Sequence, residues 1–205
     1  MVPRDWVSEL PGGKFLSARP PRPPSADAEP DQFVKSQRRD ETRIYCDRPR
    51  NRLQISIPIA LLVPCFGTFQ TNIRTLKPSD RSLQFAKRMS DELCVFYTDE
   101  TQRETAFREL LGEFLEVVIP KVQIGDYTTD GAVMYETVGK DGASRLIIQV
   151  KLEQACSKGE PSFQVSLYYL ENIRLVRKLA VGGNSQAAGW MRSRMPSILI
   201  THVGE

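Results

Sequence analysis

Residues 145–153 read RLIIQVKLE, and the architecture of the chain turns on how this stretch is interpreted. Alternate residues of a strand point to opposite faces. Leu146, Ile148, Val150 and Leu152 therefore make one wholly apolar face, while Gln149, Lys151 and Glu153 share the other with Ile147. A short run rich in branched aliphatics and flanked by turn residues predicts a strand rather than a helix. Three polar side chains on one face leave two readings open: a solvated edge, or the lining of a site.

The segments on either side give the strand its context. Upstream, GAVMYE (131–136) predicts a short strand, and Gly139, Asp141 and Gly142 supply the turn of a hairpin. Pairing across that hairpin carries Asp130 towards the polar face. Further upstream, Thr101 and Glu104 read as a capping box. They open a helix whose apolar stripe runs through Phe107, Leu110, Leu111, Phe114, Val117 and Val118 to Pro120. Glu109, Glu113 and Glu116 lie along that helix, with Glu113 bordering the stripe. Phe85, Met89, Leu93 and Phe96 predict another helix from about Ser79. Downstream, the loop CSKGEPS leads to Pro161, which opens a helix reaching about Leu179. It carries Gln164 and Tyr168 four apart on one side. Gly182, Gly183 and Asn184 read as a helix stop, Ala187–Arg194 as a helix and Ser197–Val203 as a last strand. This order of elements is an α/β domain over residues 79–205.

The rest of the chain reads differently. Residues 1–50 hold eight of the fourteen prolines, including the tract at Pro20–Pro24, with ten basic and eight acidic residues. That composition predicts a mostly disordered tail. Residues 51–78 read as an apolar strap with strand propensity, broken by Pro58 and Pro64 and packing on the domain. The strap is too short and too broken to cross a membrane, which takes about 20 apolar residues. The amino terminus has no apolar signal core. An intracellular protein of the cytoplasm or nucleus, with no membrane partner, is expected.

Residue counts exclude several chemistries. His202 is the single histidine, so two-histidine zinc sites are ruled out. Cys46, Cys65, Cys94 and Cys156 are scattered without a CxxC pair, which points to reduced thiols. Lys151 follows no glycine-rich loop and precedes no HRD or DFG, so a kinase reading fails. The net charge of +3 is mild. From Arg174 to the end there are five basic residues, Arg174, Arg177, Lys178, Arg192 and Arg194, and one acid, Glu205, so a nucleic-acid surface on the helix around Arg174, Arg177 and Lys178 competes with a solvated helix end.

A helix glutamate, then an aspartate, then the QVK strand resembles the PD-(D/E)XK, or restriction-endonuclease-like, nuclease superfamily. The string Gln164-Val-Ser-Leu-Tyr168 is similar to the QxxxY motif of its RecB-like branch. IIQVKLE followed by FQVSLYYLE also looks like the nuclease-like domain found beside kinase-like modules in crinkler-type fungal proteins. The resemblance implies a small mixed β-sheet flanked by helices, and Mg²⁺-dependent phosphodiester hydrolysis on nucleic acid. It makes Asp130 the metal-binding aspartate, Glu113 the helix acid, Lys151 the catalytic lysine, and Gln164 with Tyr168 the supporting motif. The departure is Gln149, which stands where the family has an acid. Glu153, about 7 Å from Lys151 along the same face, is the substitute the sequence offers. Two functions follow: a metal-dependent nuclease, or an inactive module of the same fold that binds nucleic acid or protein. The chain stops just after a strand, where relatives continue, so a domain cut short is also expected.

Overall fold

The computed structural model describes residues 22–39, 64–135, 142–152, 159–192 and 197–204. The chain divides into two compact units, Ile44–Arg88 and a larger one made of Met1–Arg43 with Met89–Glu205. Seven helices and two small sheets occur among the described residues. No helix among them is long and apolar enough to cross a membrane.

Helices α1 (Pro24–Asp27) and α2 (Pro30–Gln37) belong to the larger unit. They overturn the expectation of disorder for this part of the tail; residues 1–21 and 40–50 lie outside the described residues. The reason is where the prolines fall. Pro24 and Pro30 sit at the start of their helices, where the missing N–H costs nothing and the fixed φ favours the helix. The pair is anchored by a Phe33–Phe163 ring stack at 3.7 Å and by the Glu160 N–H, which donates to Ala28 O at 2.9 Å.

In the smaller unit, α3 (Pro64–Thr75) is helical, which corrects the strand-prone strap; residues 51–63 lie outside the described residues. Phe66, Phe69 and Ile73 recur at helical spacing, a period the proline count obscured. Helix α4 (Asp80–Leu93) starts after Ser79, whose hydroxyl accepts the Ser82 N–H at 3.2 Å.

Helix α5 spans Glu100–Leu115. Asp99, not Thr101, is its N-cap, accepting the Gln102 N–H at 2.9 Å. Glu104 is thereby freed from the predicted capping box. The helix stops well before Pro120, at Glu116, which adopts the left-handed conformation with φ 56°. Phe107, Leu110 and Leu111 are buried as expected, but Val117 and Val118 lie past the helix and are exposed.

A two-stranded ribbon, β1 (Gln123–Ile124) and β2 (Tyr127–Thr128), leads into β3 (Gly131–Met134) and β4 (Ser144–Lys151). β3 pairs antiparallel with β4, placing Gly131 opposite Ile148. After α6 (Pro161–Val181) and α7 (Ser185–Arg192), β5 (Ile198–Val203) returns parallel to β4. The result is a mixed sheet of order β3-β4-β5. β4 is central, and all but Arg145 of it is buried. Both faces are covered, the condition under which a strand reads as a near-continuous apolar run. Ile147 packs with Ile124 and with Val165 and Tyr168 of α6. Phe107 of α5 stacks on His202 of β5, the register partner of Val150. Asn172 of α6 fixes the beginning of β4, accepting the Ser144 N–H at 2.9 Å and donating to Gly142 O at 2.7 Å.

Candidate functional site

The hairpin register carries Asp130, one residue before β3, across to Gln149. Asp130 Oδ2 accepts the Val150 N–H at 2.8 Å and a hydrogen bond from the Gln149 side-chain amide. The approach to Asp130 is held rigidly. Thr129 is buried, and its N–H and hydroxyl both donate to Val122 O, at 2.9 and 3.1 Å. The Tyr168 hydroxyl donates to Thr128 O at 3.0 Å. Gln164 in turn donates its amide N–H to that hydroxyl at 3.3 Å. The QxxxY residues therefore buttress the chain leading to Asp130, at Thr128, two residues before it.

Burial pushes the Asp130 carboxyl up to about 6; the Val150 N–H and the Lys151 ammonium act against that rise, while Glu104 and Glu100 add to it. The same burial raises Tyr168, and Asp130 adds to that. Asp130, Lys151, Glu100 and Glu104 thus form one electrostatic group. Lys151 Nζ donates to Glu100 Oε1 at 3.0 Å; the lysine is buried and the glutamate side chain is 41% exposed. Glu104, buried one turn on, meets Arg108 Nε at 3.0 Å and Lys121 Nζ at 2.7 Å.

The predicted residues fare differently. Asp130, Gln149 and Lys151 come together, supported by Gln164 and Tyr168. Glu113 does not join them. It is exposed near the far end of α5, about 20 Å along the axis from Glu100 at 1.5 Å per residue. The helix carboxylates that face Asp130 are Glu100 and Glu104. Glu153 lies outside the described residues. Arg174, expected to face phosphate, is instead bound to buried Glu171 through both Nε and Nη2, beneath the β1–β2 turn at Gly125. Arg177 and Lys178 follow on α6 beyond Asn172 and Val176, which adjoin Ser144 and Ala143. That is the opposite end of β4 from Lys151, about 23 Å away at 3.3 Å per residue, so this basic helix end is not beside the site. Asn184 accepts the Ala187 N–H at 2.9 Å and caps α7, which bears out the helix stop.

A sequence signal for Glu100 existed but was weak: Asp99-Glu100 is an acidic helix start, common wherever a dipole is complemented. Only the packing of the first turn of α5 against the end of β4 gives Glu100 its place.

Whether these residues suit a divalent cation turns on Gln149. Its side chain is fully buried, and its Oε1 has no hydrogen-bond partner among the described residues. A buried amide oxygen left open next to a carboxylate is a hard-donor pair. Mg²⁺ commonly takes one or two protein oxygens and keeps the rest of its waters. The fit is to such a sparsely held ion, since no group of three or more His, Cys, Asp or Glu side chains able to hold a metal occurs among the described residues.

Comparison of the chain with protein-family models, with curated proteins and with solved structures gives no match.

Proposed function

We propose that the larger unit is a restriction-endonuclease-like domain of the PD-(D/E)XK type that hydrolyses phosphodiester bonds of nucleic acid with Mg²⁺. One observation carries this reading: Asp130, Gln149 and Lys151 from adjacent strands meet Glu100 of the preceding helix around the end of β4. The topology supports it as well, with an antiparallel β3–β4 hairpin, a helix, and a strand returning parallel to β4.

In this reading Asp130 and Gln149 Oε1 hold the ion, which when bound supplies an activated water and charge neutralisation at the phosphate. Lys151 presents its ammonium to the non-bridging phosphate oxygens, where negative charge builds in the transition state. Glu100 keeps that ammonium aimed. Gln164 and Tyr168 fix the backbone at Thr128 and so the position of Asp130. The experiment is cleavage of plasmid and single-stranded DNA and of RNA with Mg²⁺ or Mn²⁺, by wild type and by Lys151→Ala. Cleavage should fall at least about 100-fold in the variant, the scale of removing one charge-stabilising donor. Equal cleavage by the two proteins would end this assignment.

A second reading is favoured by the hydrogen bond from the Gln149 amide to Asp130. That bond satisfies the carboxylate with a neutral donor where the family places a second anion. It suits the same fold serving as a binding module without cleavage. Gln149→Glu separates the two. If cleavage appears only in this variant, the natural protein binds without cutting.

A further inference from the structure

We propose that Arg103, with His202 beside it, forms a subsite for a phosphate oxyanion at the carboxyl end of the β4–β5 pair. Arg103 is only 4% exposed, yet among the described residues none of its contacts is a carboxylate. Nη1 lies 3.5 Å from His202 Nε2, Nη2 donates to Val95 O at 3.4 Å, and the guanidinium stands 4.8 Å from the centre of the Tyr97 ring. Nε is buried, with no hydrogen-bond partner among the described residues. A guanidinium removed from water and left without a counter-charge is a costly arrangement, and native structures retain it where a ligand completes it.

The nearby carboxylates are already engaged. Glu104 is taken by Arg108 and Lys121, and Glu100 by Lys151. Asp130, the third, accepts the Val150 N–H and the Gln149 side-chain amide. Among the described residues, four cations therefore face three carboxylates in this group, and Arg103 is the unmatched one. His202 cannot balance it: burial first, and then Arg103, hold the imidazole towards its neutral form. The two polar contacts Arg103 does make are long and go to uncharged atoms. An oxyanion would replace them with shorter, charge-assisted, bidentate bonds.

Position points the same way. A Cβ on Gly204, just past β5, would collide both with the guanidinium and with Leu152 O, just past β4, which places Arg103 against the ends of the two strands. Ligands of open α/β sheets bind outside the carboxyl ends of parallel strands. Arg103 also lies in the opening turns of α5, whose free N–H groups add positive potential. The ligand class is a phosphate, either free or in a nucleic-acid backbone. The subsite goes beyond the nuclease reading and does not depend on a metal.

The single histidine provides the test, because its imidazole NMR signals belong to one residue. Inorganic phosphate and, separately, an oligothymidylate are titrated into metal-free protein at constant ionic strength, with chloride as the control. The His202 signals should shift saturably with phosphate, and the imidazole should titrate at higher pH once phosphate is bound. Arg103→Lys, which keeps the charge but loses the fork, should weaken binding about 10-fold, and Arg103→Gln should abolish it. Asp130→Asn should leave the response intact even where it removes cleavage, so failure of the nuclease reading stays distinguishable. A response to both probes assigns a backbone phosphate, and a response to inorganic phosphate alone assigns a free one. Signals that move no more than in chloride overturn the proposal; this arm needs only the wild-type protein, so it stands even if Arg103→Gln does not fold. Saturation that survives in a folded Arg103→Gln also overturns it.

Discussion

Asp130 and Gln149 are hydrogen-bonded side chain to side chain one position before the first rung of the β3–β4 hairpin. The same Asp130 oxygen holds the Val150 N–H at 2.8 Å. A carboxylate thus stands at the point where β3 has not yet begun to pair. It takes over a backbone donor that the ladder leaves open and is buried in doing so. Its high pKa and its place beside Lys151 follow from that one arrangement.

Gln149→Glu sets two carboxylates against each other in a buried position. Without metal at pH 8 the variant should lose about 3–5 kcal/mol of stability, the scale of an uncompensated buried charge. Mg²⁺ at millimolar excess should restore most of it, because the ion satisfies both anions. Thermal melts with and without Mg²⁺, together with calorimetric titration, read this out. A variant that binds Mg²⁺ no better than wild type would show that the position is not a metal ligand.

The raised Asp130 pKa fixes a sign. The neutral carboxyl is the form the fold prefers, so its contribution to stability is complete below the unfolded value of 3.8 and is lost as pH rises through about 6. Asp130→Asn should therefore match wild type at pH 4. Above pH 6 it should be the more stable by up to about 3 kcal/mol, since each tenfold change in proton affinity between folded and unfolded chain is worth about 1.4 kcal/mol. Urea denaturation across pH 4–8 checks it. A larger stability gap at pH 4 than at pH 7 would refute the assignment.

Glu100→Gln breaks the ion pair with Lys151 from its exposed side. The stability cost should stay under about 1 kcal/mol, as for other pairs with one partner in water. Any cleavage should fall much further than stability does, mainly through kcat, because the lysine loses its aim rather than its charge. Steady-state kinetics beside a denaturation curve separates the two effects.

Asn172→Ala removes both hydrogen bonds that begin β4 and leaves the Ser144 N–H and Gly142 O unpaired in a buried place. A loss of about 2–6 kcal/mol is expected, at about 1–3 kcal/mol per unsatisfied buried group. Metal affinity at the other end of β4 should be unchanged in the folded fraction. Hydrogen exchange at Ser144 should speed up far more than at Val150, and equal acceleration would mean that the strand opens as one piece.

Local features alone were enough to read β3, β4, α5, α6 and β5 from the residues: period-two and period-3.6 patterns, turn residues and a helix-opening proline. They also bring Asp130, Gln149 and Lys151 together, since a hairpin joins residues close in sequence by a register that its turn sets. Pro24 and Pro30 carry a local signal too, as helix starters by position rather than chain breakers by number.

Which end of each helix meets the sheet is settled by packing in three dimensions. Helical periodicity tells which residues share a face, but every turn along that face looks alike. Glu113 and Glu100 are therefore equivalent to a pattern and about 20 Å apart in space. The same limit hid Arg103, an ordinary surface-type residue until burial takes its water away. It also misplaced Arg174, whose partner Glu171 stands three residues before it. Burial and counter-charge belong to the packed molecule, and they determine whether a charged side chain acts as a ligand, a strut or a solvated surface group.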